Sequence, residues 1–290
     1  VQHGSGSWGV RLGRNAILSL MGNYYEAFQR RSERDFRTAT GALHLDAAHG
    51  SGSRARLRLG YQALGYKPAP AYDFQGPLGG LTVMRDLSSG DPDELVSWRL
   101  ALSYGVALRL YEGQAFGPRE RCQDESELSL CNYLKDEGRE DLAHSIRVSV
   151  RYLGNAVASL WYGVDINYSN SFGESYARHM VGIKFTSHLR WGLFLTTKGV
   201  LQFSEFADPY LVSTTSGEIS SSTFTSIDDE NRSTLLVQLA RDVAEHWALH
   251  LRYSLYANET GSPAAVGSKE AAGFIRHLIF LGVRFSYESS

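Results

Sequence analysis

The chain has no apolar run close to the roughly 18 uncharged positions that a membrane helix requires. If it enters a bilayer, a closed barrel of strands is the remaining way across. Only helices and barrels pair all their backbone polar groups inside lipid. An excess of one charge is also lacking. With 29 basic and 31 acidic residues the formal net charge is -2, which gives no global basic footprint for nucleic acid. Proline is scarce, 7 in 290 residues, so little interrupts extended backbone. Cysteine is scarcer. Cys122 and Cys131 stand in the acidic segment ERCQDESELSLC with no histidine nearby. Two thiols are too few for a structural zinc site, and a short loop disulfide in an oxidising compartment is the expectation. The opening residues show no charged n-region, apolar h-region and cleavage site, so a secretory leader is expected to be already removed or never present.

What is present is glycine, 29 residues, and 12% aromatics, a mixture that favours many strands with polar turns. Residues 95–111, LVSWRLALSYGVALRLY, alternate without a break. Val96, Trp98, Leu100, Leu102, Tyr104, Val106, Leu108 and Leu110 fall on one side; small or basic residues fall on the other. The same period of two recurs in 145–153, 159–168, 191–203, 247–256 and 274–287. Sustained over so many positions, it reads as strand and not helix. These strands are about twice the usual soluble length, and a tilted strand needs about ten residues to cross hydrocarbon.

Connections alternate between tight (47–53, 153–156, 187–190, 243–246) and long and polar (near 66–77, 112–141, 205–230 and 259–270). With a short turn near 87–94, twelve strands follow: 15–28, 34–46, 54–66, 78–86, 95–111, 142–153, 156–169, 175–186, 190–204, 231–242, 246–258 and 272–287. Ten and fourteen are the alternatives. The expectation is therefore an all-β, transmembrane, antiparallel up-and-down barrel over 15–287, with both ends on the short-turn side. Residues 1–14 are expected to be a periplasmic extension, a lumen plug or part of the first strand. Tryptophans support this. Trp98, Trp191 and Trp247 follow short turns on the apolar side, while Tyr24, Tyr61, Tyr168, Phe203 and Tyr253 sit at the far strand ends. Two aromatic girdles flanking an aliphatic band suit the two bilayer interfaces.

On these residues the chain resembles Gram-negative outer-membrane β-barrels, most closely in HWALHLRYSLYANETG and GFIRHLIFLGVRFSY near its end. The resemblance implies a place in the bacterial outer membrane and a terminal aromatic, Phe285 or Tyr287, read as the assembly signal. Here the chain runs on through Glu288-Ser289-Ser290.

The positions expected to face inward are lopsided. Arg56, Arg58, Arg99, Arg109, Arg147, Arg151, Arg178, Lys184, Lys198, Arg252, Arg276 and Arg284 are basic, against Asp46, Asp165 and Asp242. The segment 112–141 holds many of the remaining acids. A basic lumen in a low-dielectric wall concentrates anions, and arginine rings are a device of anion pores. The expected partners are thus outer-membrane lipid, an anionic solute or polymer, and other envelope proteins. The alternative is a non-conducting barrel anchoring a secretion, motility or surface-assembly complex. An enzyme is not expected, nor a cofactor or metal. Adjacent His144 and Ser145 point to opposite faces, His250 and Ser254 are too far apart along one strand, and His179 and His277 fall on the lipid face.

Overall fold

The computed structural model describes the chain except residues 1, 28–34, 51, 68, 89–96, 119–131, 208–230, 245, 260–273 and 286–290. Thirteen strands form one sheet: β1 (Gln2–Arg11), β2 (Ala16–Ala27), β3 (Phe36–His49), β4 (Ser53–Tyr66), β5 (Phe74–Ser88), β6 (Ser97–Pro118), β7 (Asn132–Leu153), β8 (Ala156–Ser169), β9 (Tyr176–His188), β10 (Leu193–Phe206), β11 (Asn231–Ala244), β12 (Trp247–Glu259) and β13 (Phe274–Phe285). Each pairs antiparallel with its neighbour in sequence, so the order is up-and-down throughout. The barrel-like architecture expected from alternation and connection lengths is present as this single sheet.

All twelve expected strands appear, and β1 is an addition. Residues 2–11, expected as an extension, a plug or part of the first strand, form a strand of their own that pairs along its whole length with β2, from Gln2 opposite Glu26 to Arg11 opposite Ile17. This corrects the placement of the amino-terminal end. Gln2 lies at the end of the sheet with the long connections, not at the short-turn end. The reason β1 escapes a hydrophobic pattern is compositional. Two of its outward positions are Gly4 and Gly6, and only Trp8 and Val10 carry an apolar side chain there. β1 and β13 are the two edges of the sheet, and neither has a second strand partner among the described residues.

A second correction concerns 112–141, expected as a loop. β6 continues to Pro118 and β7 begins at Asn132, so both are 22 residues long and form a hairpin that extends beyond its neighbours. The ladder goes on, with register shifts after Leu110 and Gln114, where apolar alternation has stopped. Backbone pairing continues there without an apolar face, and side-chain contacts such as that of Phe116 N–H with Ser171 Oγ add to it. Cys122 and Cys131 lie outside the described residues.

Burial is inverted relative to a water-soluble sheet. Among the described residues, Ala42, Asp141, Asn167, Ala248 and Ser254 are buried, and register puts all of them on the face that carries the arginines. The leucines are the exposed set: Leu59 57%, Leu102 53%, Leu160 50% and Leu251 47%. The buried positions thus lie on the polar face, and the opposite face is an exposed apolar surface. No helix among the described residues is long and apolar enough to cross a membrane, which leaves crossing by strands untouched.

Candidate functional site: the basic face of the sheet

Register carries each basic residue to its place. Arg56 stands opposite Asp46 and Thr82, and Arg58 opposite His44 and Gly80. Thr82 is opposite Ser103, and Ser103 opposite Arg147. Following the ladders on, Arg99, Arg109 and Arg151 share that face, then Asp165 with Arg178, and Ser159 with Lys184. Lys198 lies across from Lys184, Arg252 across from Gln238, and Arg276 and Arg284 across from Tyr256 and Ala248. All twelve basic positions named from the sequence therefore project from one face. Asp46, Asp165 and Asp242 join them there, and so do Asp86 and Asp141, two acids that sequence reading left out.

Two of the arginines are neutralised locally. Arg56 Nε donates to Asp46 at 2.6 Å, and Arg99 Nη2 to Asp86 at 3.1 Å. Others lie on aromatic rings. The Arg147 guanidinium is 4.4 Å from the Trp161 ring, Arg178 is 4.7 Å from Tyr176, Arg252 is 5.0 Å from Phe280 and Arg109 is 5.5 Å from Phe74. Stacking holds a guanidinium flat and contributes about 0.5–2 kcal/mol while leaving its N–H groups free to donate. Arg109, Arg147 and Arg252 have no carboxylate within ion-pairing distance among the described residues. The Nε atoms of Arg58, Arg109 and Arg252 are shut from solvent without an acceptor among the described residues. Arg99 faces Arg151, and Lys184 faces Lys198. Like charges directly opposite each other are destabilising.

Where the face meets the long β6–β7 hairpin the chemistry changes. Arg139 Nη2 reaches Asp141 at 2.7 Å, its Nη1 reaches Glu174 at 3.0 Å, and its Cζ lies over the Tyr111 ring, 4.2 Å from the ring centre. Asn167 Nδ2 donates to Asp141 at 3.2 Å and to the Glu174 carbonyl at 2.9 Å. Burial, reinforced by the nearby Asp141 carboxylate, holds the Glu174 carboxyl above the ordinary glutamate value, against the lowering pull of Arg139. This cluster ties the β8–β9 connection to the hairpin. Sequence reading missed it because Arg139 and Asp141 lay inside a segment taken for a loop.

No protein-family model matches the chain, and no curated protein matches it either. The residues alone carry its functional reading.

The outer face carries the expected aromatics. Trp98 and Trp247 are about half exposed and rest against Tyr152 and Phe285, at 5.0 and 4.9 Å between ring centres. Tyr61 and Tyr168 are exposed on the same face near the other end. Trp191 departs from expectation. It sits in a short turn, Arg190–Gly192, with φ 62°, just before β10 begins, and is 80% exposed. Phe285 closes β13, and Tyr287 lies outside the described residues. Among the described residues no group of three or more histidine, cysteine or acidic side chains is placed to hold a metal.

Proposed function

We propose that the chain is an outer-membrane β-barrel whose enclosed basic face passes or binds anionic solutes such as acidic saccharides, phosphates or carboxylates. The observation that carries this reading is the uncompensated charge on that face. The Arg109, Arg147 and Arg252 guanidiniums lie over aromatic rings with no carboxylate partner among the described residues, and Lys184 and Lys198 stand as like-charge neighbours. A face selected only for stability has no use for such pairs, whereas a face that takes up anions gains from them. The exposed apolar outer surface supports the membrane part of the reading, and the aromatics near both ends of the strands support the same orientation across two interfaces.

Planar-bilayer conductance tests it. The purified chain is expected to give open-channel current with a preference for anions. An inserted protein with no current, or with a preference for cations, would overturn the reading.

The alternative is a non-conducting barrel within a larger envelope complex. The β6–β7 hairpin favours it, since it projects beyond its neighbours and is stiffened by the Arg139 cluster, as a partner surface held on a rigid frame would be. Co-purification of other envelope proteins in mild detergent, together with absence of current, is the outcome that reading expects.

A further inference from the structure

Three tyrosine–histidine pairs repeat on the outer, apolar face. Tyr104 Oη lies 2.8 Å from His144 Nδ1, Tyr162 Oη lies 2.7 Å from His179 Nδ1, and Tyr253 Oη lies 2.8 Å from His277 Nδ1. Their geometry is the same each time. The tyrosine is on a strand leaving the short-turn end, opposite Ile146, Val181 or Ile279, and the histidine is two residues beyond that partner toward the long-loop end.

The pairs also share a level. Tyr104 lies on a register row that meets β8 at Val164, two residues past Tyr162, and β8 is two strands from β6. The row of Tyr253 passes through Val237, Thr197 and Phe185 to Ala158 on β8, four residues before Tyr162, and β12 is four strands away. The pairs therefore step by one residue per strand, always in the same direction. With about 3.3 Å per residue and about 4.8 Å between strands, that step corresponds to a horizontal ring when strands tilt by about 35°. Transmembrane barrels tilt by about this angle. The histidines stand eight residues past the level of Trp98 and Trp247, about 22 Å along the barrel axis at that tilt. An apolar band of about 25 Å separates the two interfaces of such barrels.

We infer that these three pairs are a binding ring for lipid phosphate in the leaflet at the long-loop end. This rests on the membrane reading above and goes beyond it. A tyrosine hydroxyl that donates to Nδ1 fixes the tautomer with hydrogen on Nε2. Each imidazole then presents one N–H donor at the headgroup level, where the phosphate oxygens of lipids are the acceptors. The phenols occupy the remaining ring nitrogens, so the histidines need no other protein partner.

Solid-state NMR on histidine-15N-labelled protein in phosphatidylglycerol vesicles tests the ring through 15N–31P dipolar contact. Three of the nine histidines are expected to show it, at Nε2 and not Nδ1. Single variants H144Q, H179Q and H277Q would each delete one of the three signals. Replacing Tyr104, Tyr162 and Tyr253 by phenylalanine is expected to weaken contact at all three by releasing the imidazoles. Protein that inserts, resists protease and shows no phosphorus contact at these positions would overturn the ring alone. Protein that never enters the vesicles would overturn the membrane reading and the ring with it.

Discussion

Arg99 and Arg151 stand directly opposite each other on β6 and β7, and among the described residues only Arg99 has a carboxylate, Asp86, in contact. Arg151 thus faces a like charge that Asp86 offsets only in part, and it has no carboxylate of its own in contact among the described residues. Arg151→Ser is expected to raise stability by about 0.2–1 kcal/mol, the usual scale of a cross-strand charge clash. The same change is expected to reduce anion preference in a conducting barrel, more so when combined with Arg147→Ser. Urea unfolding in vesicles and reversal-potential measurements read the two effects. Unchanged selectivity would remove these side chains from the solute path.

Leu102 lies midway between the Trp98 level and the histidine level, exposed on the outer face, while Ser149 of β7 lies near the same height on the enclosed face. Leu102→Arg is expected to cost about 2–4 kcal/mol of stability in a bilayer, the penalty for arginine at the midplane. Ser149→Arg is expected to cost less. Equal penalties, or none in water without detergent, would contradict an outer face in contact with lipid.

At the loop end, Asp141 is fully buried and holds Arg139. Asp141→Ala is expected to destabilise the fold by about 3–5 kcal/mol, because it removes the two-pronged carboxylate partner of a buried guanidinium and leaves only the single contact to Glu174. Glu174→Gln should be far milder. The Glu174 carboxyl is raised above its unfolded-state value by burial, so its contribution to stability is fully present below the unfolded value and is lost as pH rises through the folded one. Glutamine does not titrate. Unfolding midpoints from about pH 4 upward are thus expected to move in favour of Glu174→Gln as pH rises. The opposite trend would mean the Arg139 contact outweighs burial.

Trp161 leans over Gly182 on the neighbouring strand, and Arg147 is stacked on the same indole. A Cβ at position 182 would overlap the indole. Gly182→Ala is expected to cost about 1–3 kcal/mol, as overpacking does, and to dislodge Arg147 from its ring. Tryptophan fluorescence compared with a Trp161→Phe control would report the displacement, and an unaltered spectrum would show that the ring has room to spare.

Much of this was legible in the residues. Period-two alternation gave the strands from Ala16 to Phe285, and parity alone placed Arg56 through Arg284 on one face and His179 and His277 on the other. What stayed hidden depends on contacts between strands. The partnership of Tyr162 with His179 requires the register of two strands, which no single segment encodes. β1 was hidden because glycine at positions 4 and 6 erases the alternation that marked its neighbours. The β6–β7 hairpin past Leu110 was hidden because its ladder continues without apolar alternation, so its charges looked like loop. Trp191 was misplaced by its neighbours, since the turn it occupies reads on paper as the first residue of β10.

The directions of the two outermost strands have a consequence for how the wall can be sealed. Both descend toward the short connections, from Gln2 to Arg11 on one rim and from Phe274 to Phe285 on the other. Joining them to each other would create a parallel pair in a wall otherwise antiparallel. Keeping every neighbour antiparallel instead requires an odd number of additional strands between the rims, and a single ascending one suffices. Each bare amide left facing hydrocarbon costs about several kcal/mol, so residence in a bilayer obliges this chain to adopt one seam or the other.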